Sequence, residues 1–483
     1  MSLTRALALN TGVQILGKVV STGIGIILIG LMTRQLGTIG FGAYSTANAF
    51  LQVFALLLDL GLNVTLIALL GEHAGDSAYE KRCTSALFTL RITMSLFILG
   101  LIAPAVALAS PYPLSLKMAI LALTGSFIFP SINQVVIGAQ QRHLKMTMAA
   151  IAENVGRIIA LTGLLIAQAQ GWGLVPIMWI ISFASLFNVA LNYISARKYA
   201  DFHWNWDPSF WKMALHRSWP IGLSIAFGLA YFKADTLILS FVRPQSEVGI
   251  YGAAYRVLEI LITIPFMYAG ILLPILSNAF AKKDLSKFKK LVTNSIDVML
   301  IFCMPMIAGT WLLGERIMTL VAGSEFAESG RILSILIIAV AAIYINTVFS
   351  HIVVAIDGQR KMIPIYITVA IAIVLGYLLW IPTYGMWAAA WLTVISEILV
   401  GIGSIVVANK AVKTEFKPRV FFTSIAAALL MSIVVYILQN QFVIIPMISG
   451  ALVYSTALYA MGGIKKETLQ EILKAKTTNP PLN

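Results

Sequence analysis

The sequence predicts an all-α polytopic membrane protein with about 14 transmembrane helices. Its 483 residues are 59% hydrophobic and only 11% charged, and the mean hydropathy is +0.88. A soluble protein of this length carries about twice that charged fraction. Apolar runs of about twenty residues recur from end to end, and each is long enough to cross a hydrocarbon core of about 30 Å. Basic residues gather in every second connection between these runs, as they do in multi-pass proteins.

Fourteen apolar runs are candidates for membrane spans, numbered here span 1 to span 14 in chain order. Their approximate bounds are 7–31, 43–70, 85–109, 115–137, 148–168, 173–195, 218–241, 250–277, 291–313, 331–354, 363–381, 385–408, 420–438 and 443–463. Pro130 is expected to break span 4, because a proline removes one backbone hydrogen bond from a helix. Span 1 is too long for the core of a cleaved signal peptide, so we expect it to remain as an anchor.

The net charge of +14 follows from the predicted topology. Of the 34 lysines and arginines, 24 lie at the termini and in even-numbered connections, four in odd-numbered connections and six within spans. This asymmetry obeys the positive-inside rule and predicts that both termini are cytoplasmic. Because topology accounts for the basicity, we predict no nucleic-acid partner. Basic loops are expected to touch anionic membrane lipids.

The two halves of the chain resemble each other weakly. Gly42, Tyr44, Ala47 and Leu51 match Gly249, Tyr251, Ala254 and Leu258 at an offset of 207 residues, and the matches VVIGAQQR (135–142) with VVAIDGQR (353–360) and Gly173, Trp179 with Gly385, Trp391 follow in order. A six-helix unit crosses the membrane an even number of times, so both copies insert the same way up. Such repeats are typical of transporters whose substrate site lies between two lobes.

The repeat predicts the domain organisation. We expect an N-terminal lobe at 1–200, a cytoplasmic interfacial linker at 201–217, a C-terminal lobe at 218–410, two additional helices at 411–463 and a cytoplasmic tail at 464–483. The linker is aromatic (FHWNWDPSFW), and tryptophan rings favour the depth of the lipid headgroups.

Polar side chains follow one face of several spans, which predicts a hydrated cavity. The candidate substrate-binding residues are Lys18, Arg256, Gln14, Asn48, Gln52, Lys233 and Arg34, and the candidate coupling or cavity acids are Asp59, Asp235, Glu259 and Glu397. Coupling to Na⁺ or H⁺ through these acids is a hypothesis, and no other cofactor is expected. Glu153 and Arg157 are one helical turn apart, which predicts a structural ion pair. For Arg256 and Glu259, a substrate site and a structural pair both stay open.

Four stretches resemble the polysaccharide transporter (Wzx-type) family of the multidrug/oligosaccharidyl-lipid/polysaccharide exporter superfamily. These are LMTRQLGTIGFGAYSTA (31–47), LLDLGLN (57–63), YFKADTLIL (231–239) and VGIYGAAYRVLEIL (248–261). The resemblance implies a V-shaped fold of two pseudo-symmetric six-helix lobes with two extra C-terminal helices, in a bacterial inner membrane. It also implies a flippase that moves undecaprenyl-pyrophosphate-linked oligosaccharide from the cytoplasmic to the external leaflet by alternating access. Lys18 and Arg256 occupy places where relatives hold the substrate head group.

Three other functions stay open at this point. A lipid II flippase has the same fold and a similar cargo, whereas a multidrug or cation antiporter of the superfamily more usually has twelve helices. A polymerase or ligase acting on the same lipids would need catalytic residues on a large external loop. The external loops are short and contain no histidine, which disfavours an enzyme. Glycan polymerase and assembly proteins are the expected protein partners.

Overall fold

The structure, a computed structural model, describes residues 3–59, 61–73, 75–143, 145–412 and 418–463, without the side chains of 3–15, 59, 63–64, 67–68 and 220–232. Within these residues the chain forms sixteen α-helices and no strand. They are α1 (Leu3–Asp59), α2 (Leu62–Glu72), α3 (Ser77–Phe97), α4 (Ala103–Ala109), α5 (Leu114–Leu123), α6 (Gly125–Arg142), α7 (Met146–Ala169), α8 (Leu174–Ala196), α9 (Pro208–Val242), α10 (Gln245–Leu261), α11 (Thr263–Ala281), α12 (Leu285–Ala322), α13 (Ser329–Ala355), α14 (Gln359–Ala411), α15 (Pro418–Ile437) and α16 (Ile444–Ala460). A π-helical turn, Ile98–Ile102, joins α3 to α4.

These helices account for fourteen membrane crossings within the described part of the chain. Ten helical segments are long and apolar enough to span a bilayer, and the shorter α16 is also apolar. Two of the ten, in α1 and α14, each contain two spans that meet at a glycine. With α9, which holds span 7, the described helices reach the predicted number. The protein is therefore a multi-pass membrane protein, as the sequence predicts.

Glycine makes the two sharp reversals possible. Gly37 has φ 63° and Gly385 has φ 56°, and residues other than glycine rarely adopt such backbone angles. At the second reversal the backbone N–H of Met386 donates to Glu247 Oε1 at 2.6 Å. Arg243 Nε donates to the other carboxylate oxygen of Glu247 at 2.8 Å. This carboxylate thus takes up a backbone donor that the reversal leaves without a helical partner.

Span 4 is interrupted at Thr124, between α5 and α6, and the prediction of a break at Pro130 is wrong because Pro130 lies inside α6. The hydroxyl of Ser182 replaces one backbone–backbone hydrogen bond of the helix at this point. It donates to the carbonyl of Ala122 at 2.5 Å and accepts from the N–H of Ser126 at 3.2 Å. These two groups would otherwise bond to each other, so the inserted side chain separates the two helices.

Span 8 is interrupted at Ile262, between α10 and α11, for a different reason. Pro265 has no N–H to donate to the carbonyl of Leu261, four residues earlier. The hydroxyl of Tyr344 donates to that carbonyl instead, at 3.1 Å. The broken helix therefore keeps this carbonyl paired, as a membrane interior requires.

The chain divides into two compact units. Unit 1 contains Met1–Ala253, Val321–Glu325 and Ala370–Ala389, and unit 2 contains Ala254–Leu320, Phe326–Val369 and Ala390–Asn483. A buried cluster of unit 1 joins α2, α3, α6 and α9. In unit 2 the last two helices, α15 and α16, pack on each other and on α12, where the Tyr454 hydroxyl donates to the Ile301 carbonyl at 2.8 Å.

Within unit 1, the second half of α1 crosses the start of α10 at residues that the repeat relates. A Cβ at Gly42 would lie 2.7 Å from the carbonyl carbon of Gln245 and 3.0 Å from the nitrogen of Gly249. A Cβ at Gly249 would lie 2.9 Å from the carbonyl carbon of Thr38 and 3.0 Å from the nitrogen of Gly42. Both Thr38 with Gln245 and Gly42 with Gly249 are 207 positions apart. This reciprocity is what a pseudo-twofold axis through the crossing produces, and it supports the internal repeat.

Candidate functional site

A cluster of charged side chains joins α1 to α7 in unit 1. Glu153 Oε1 accepts a hydrogen bond from the Ser21 hydroxyl at 2.6 Å. The same oxygen lies 3.4 Å from Lys18 Nζ and 3.4 Å from Arg157 Nη2. The side chains of Lys18, Glu153 and Arg157 are 42%, 35% and 34% exposed. Two cations therefore share one carboxylate on a partly open face.

Small residues of α1 allow this cluster to form. A Cβ at Gly17 would lie 2.8 Å from the Cβ of Ala150, and Asn154 Nδ2 donates to the Gly17 carbonyl at 3.1 Å. Two turns further along α1, a Cβ at Gly25 would lie 2.7 Å from Arg157 Nη1. Glycines at both levels let the two helices approach closely. The guanidinium group of Arg157 thereby comes to lie over the backbone of α1.

The structure thus brings together residues that the sequence placed in separate groups. Glu153 and Arg157 form the predicted pair, but their contact is long, and Lys18 enters the same group from another helix. Spacing along one helix could indicate only the i to i+4 pair. Lys18 could be added only once the packing of α1 on α7 was known.

A second acid, Asp235 on α9, is fully buried in unit 1. The hydroxyl of Tyr251 donates to Asp235 Oδ2. The backbone N–H and the hydroxyl of Thr236 donate to Asp235 Oδ1 at 2.5 Å and 3.1 Å. Lys233 is also buried, with 5% of its surface exposed. This part of unit 1 therefore contains a carboxylate and an ammonium group, both away from lipid.

In unit 2, Arg256 and Glu259 form an ion pair. Arg256 Nη1 lies 2.7 Å from Glu259 Oε2, and the two side chains are 21% and 24% exposed. The pair lies in the last two turns of α10, shortly before the interruption at Ile262. Both groups are close enough to stabilise each other, and both remain partly accessible.

The other predicted site residues lie in varied surroundings. Arg34 Nη1 donates to the carbonyls of Gly30 and Val321 at 3.0 and 2.9 Å, so this guanidinium binds backbone at the end of α12. Asn48 and Gln52 are half-buried on α1, and Glu397 on α14 is buried. The side chains of Gln14 and Asp59 lie outside the described residues.

Arg91 on α3 is a buried cation that the sequence analysis did not include among the site residues. Its side chain is 1% exposed. Arg91 Nη1 donates to the Leu58 carbonyl at 2.5 Å, and Nη2 donates to Gln134 Oε1 at 2.9 Å. The Leu58 carbonyl lies where α1 ends before Gly61, which has φ 72°. Arg91 thus satisfies a backbone group that the interruption of span 2 exposes.

The predicted linker follows the surface of α3 as an extended segment. Backbone N–H groups of His203 and Asn205 donate to the hydroxyls of Ser85 and Thr89 at 3.2 and 2.9 Å. Phe202 is buried, whereas Trp204 and Trp206 are 65% and 58% exposed. The side chains on the exposed face are thus aromatic, and the hydroxyls of α3 fix the backbone.

Ion pairs hold both ends of this segment. The N–H of Phe210 and the guanidinium of Arg82, 2.6 Å from the carboxylate, lower the pKa of Asp207. Lys81, at 3.0 Å, lowers the pKa of Asp201. Arg217 likewise lowers the pKa of Glu72, so Asp201, Asp207 and Glu72 are all ionised at neutral pH.

Comparison with known proteins agrees with this architecture. A family model described as Polysaccharide biosynthesis protein matches residues 7–280, and the MatE model matches residues 220–381. A protein of Haloferax volcanii named as a flippase, AglR, is 22% identical over 98% of both chains. A Shigella dysenteriae protein named as an O-antigen transporter is 28% identical over 39% of this chain and 47% of its own length.

Solved structures show the same fold. The lipid II flippase MurJ in an inward closed conformation superposes with a TM-score of 0.75 over 93% of this chain and 98% of its own, at 15% identity. An inward-facing multidrug resistance MATE transporter of the MOP superfamily gives 0.67 over 82% and 94%, at 14% identity. The resemblance found in the sequence motifs is confirmed, because a family model covers more than half of the chain. The chain belongs to the polysaccharide biosynthesis protein family.

Proposed function

We propose that this protein is a flippase for lipid-linked oligosaccharide. The observation that carries the proposal is a relation over 98% of both chains to a protein named as a flippase, AglR. The relatives are named as flippases and transporters, which confirms the prediction of a transporter rather than a polymerase or ligase. The direction proposed is from the cytoplasmic to the external leaflet of the cytoplasmic membrane, with both termini cytoplasmic.

The chemistry of such a cargo fits the charged side chains within the spans. A lipid-linked sugar diphosphate has an anionic linker, a large polar head and a tail that stays in the membrane. Its head needs water, cations and hydrogen-bonding groups along its path, because hydrocarbon cannot solvate it. Lys18 and Arg256 are partly exposed and supply cations within spans 1 and 8. An inside-negative potential favours outward movement of the anion by about 2.3 kcal/mol per charge per 100 mV.

The test is a transport measurement with the full chain in liposomes. The cargo would be an undecaprenyl-pyrophosphate-linked oligosaccharide with a fluorescent group on the sugar, placed in both leaflets. A membrane-impermeant reductant bleaches only the outer leaflet, so a flippase increases the bleached fraction beyond half. Equal bleaching in liposomes with and without the protein would refute the proposal.

The same liposomes decide between the alternative cargoes. Lipid II is the first competing substrate to measure, because MurJ, which has the same fold, is named as a lipid II flippase. Faster movement of lipid II than of the other oligosaccharide would assign the protein to peptidoglycan. Uptake of a cationic dye with no movement of either lipid would assign it to drug export. We further propose that glycan polymerase and assembly proteins receive the flipped cargo.

Asp235 is the acid best suited to couple transport to H⁺ or Na⁺. It is fully buried, and hydroxyl donors from Tyr251 and Thr236 hold its two oxygens. Binding of a cation or a proton to a buried carboxylate removes charge from a low-dielectric environment, so it changes the stability of the surrounding packing. Coupling at Asp235 would therefore link ion binding to the position of α9.

A further inference from the structure

We propose that Lys18 and Arg157 together form the binding site for the diphosphate of the cargo, and that Glu153 holds both cations until the diphosphate replaces it. This inference rests on the proposed function and gives it a site. It assigns Arg157, predicted as half of a structural ion pair, to cargo binding. It also gives Glu153 the role of an internal competitor of the diphosphate.

The first argument is the number of hydrogen-bond donors left over. A guanidinium has five N–H donors and an ammonium has three. Among the described residues, Arg157 and Lys18 each make one hydrogen bond, and both go to Glu153 Oε1 at 3.4 Å. Arg157 Nε is buried and has no partner in this part of the chain. A diphosphate offers several oxygens in the geometry that these remaining donors suit.

The second argument is charge. Two cations and one carboxylate leave the cluster with a charge of +1. Arg157 lies about 17 Å along α7, which is about 36 Å long at 1.5 Å per residue. A net charge near the middle of a span is costly against lipid, so the partly exposed face of the cluster must open to water or to an anion. An anion with two negative phosphates would neutralise it.

The third argument is that the charged cluster has no counterpart in the second half of the chain. Span 7 (218–241) and span 11 (363–381) are the sequence copies of the two spans that carry it. At the offset of 207 residues Lys18 corresponds to Ile225, and span 11 contains no charged residue, whereas the charges of span 7, Lys233 and Asp235, lie further along that span. The repeat therefore has uncharged residues at the positions that correspond to the cluster. The cluster is specific to the first half of the chain.

The fourth argument is that Glu153 can release its cations at low cost. Its strongest contact is the 2.6 Å hydrogen bond from Ser21, which both helices keep when Lys18 and Arg157 turn away. The two cations are held to Glu153 only by long contacts of 3.4 Å, and Gly25 leaves the space that the guanidinium of Arg157 occupies against α1. A diphosphate can thus take the cations while Ser21 continues to satisfy the carboxylate.

The experiment measures binding to the purified full chain in detergent. The probes are undecaprenyl diphosphate, undecaprenyl monophosphate and inorganic pyrophosphate, titrated against wild-type protein and variants. Arg157→Ala and Lys18→Ala should each weaken diphosphate binding about ten- to hundredfold, the range that the loss of one charged hydrogen bond gives. The matched control is Lys117→Ala, because Lys117 binds the Leu108 carbonyl away from the cluster and its loss should change nothing.

Glu153→Gln separates binding from structure. Glutamine keeps an acceptor for Ser21 but loses the negative charge, so diphosphate binding should become tighter by about threefold or more. A structural ion pair predicts the opposite, namely lower thermal stability and unchanged or weaker binding. Unchanged affinity in a folded Arg157→Ala variant, or weaker binding by Glu153→Gln, would overturn the proposal. If Arg157→Ala fails to fold, Arg157→Gln and Lys18→Ala carry the test.

The two proposals can fail separately. If the wild-type protein binds undecaprenyl diphosphate through Lys18 and Arg157 but does not move lipid-linked oligosaccharide, the site stands and the proposed function fails. If it moves that cargo and the two cations make no difference to binding, the function stands and the site fails. Tighter binding of undecaprenyl diphosphate than of pyrophosphate identifies the lipid as the source of the group. Equal binding identifies the diphosphate alone as the determinant.

Discussion

The crossing of α1 and α10 at Gly42 and Gly249 gives the most direct test of the packing. A Cβ at Gly42 would lie 2.7 Å from the Gln245 carbonyl carbon. Ordinary contacts begin near 3.4 Å and the Gln245 carbonyl oxygen would lie closer still than the carbon, so Gly42→Ala must move the backbones apart by more than about 0.7 Å at this point. Backbone cannot yield as a flexible side chain can. The expected cost is about 1–3 kcal/mol, the range for overpacking a close contact.

The assay is thermal unfolding of the detergent-solubilised full chain, followed by chromatography of the surviving fraction. The matched control is Gly23→Ala, since a Cβ at Gly23 meets nothing within 4 Å. Alanine is a better helix former than glycine by up to about 1 kcal/mol, so the control should be equal to wild type or more stable. Gly42→Ala should unfold at a lower temperature than both. A Gly42→Ala variant as stable as Gly23→Ala would refute the reasoning.

The double variant gives a second criterion. Gly42 and Gly249 share one contact, because each Cβ would approach the nitrogen of the other glycine at 3.0 Å. The first alanine already separates the helices, so adding the second should cost less than it does alone. Fully additive losses would mean that the two positions are independent. Transport should fall with stability, because only the packed state transports. A loss of about 1.4 kcal/mol lowers the ratio of packed to unpacked protein tenfold.

Three further outcomes are expected. Tyr344→Phe leaves the Leu261 carbonyl without its donor and should cost about 1–3 kcal/mol in thermal unfolding, whereas Tyr384→Phe, at an exposed ring, should cost nothing. Asp235→Asn should abolish any dependence of transport on a pH or Na⁺ gradient, and Asp284→Asn should retain it; equal gradient dependence in both would exclude Asp235 as the coupling acid. A spin label at position 204 should become mobile as the pH falls below about 3.8. Asp201 and Asp207 have lowered pKa values, so the ion pairs that hold the segment are lost only when the pH falls through those values and the carboxylates take up protons. A label that stays immobile until the whole chain unfolds would contradict this.

The fold could be predicted from the sequence because its determinants are local. Apolar length specifies a span, so the number of crossings could be found without any contact between helices. The positions of the helix breaks could not be predicted in this way. Pro130 marked a break by the usual rule, yet the break at Thr124 arises from a hydroxyl that Ser182 brings from another helix. Such a contact has no signature in the sequence around the break.

The candidate site was only partly predictable, for the same physical reason. The pair of Glu153 and Arg157 follows from spacing along one helix, and Lys18 is a charged residue within the apolar span 1. Their meeting depends on the register of α1 against α7, which Gly17 and Gly25 set. Arg34, a predicted substrate-binding residue, binds the backbone carbonyl of Val321, and the sequence separation of these residues conceals that contact.

Charges inside this protein fall into two kinds that a sequence cannot separate. Arg91 is 1% exposed and donates to a carbonyl where a helix is interrupted, so it supplies the hydrogen bond that this carbonyl needs inside a membrane. Arg157 is 34% exposed, and its one described hydrogen bond is a long contact with a carboxylate that Lys18 shares. A cation that already holds strong buried partners has few donors for a cargo, whereas one held weakly on an open face can exchange partners. Strength of existing contacts and access to water, rather than presence in a span, are therefore the criteria for choosing which cations bind a moving anion.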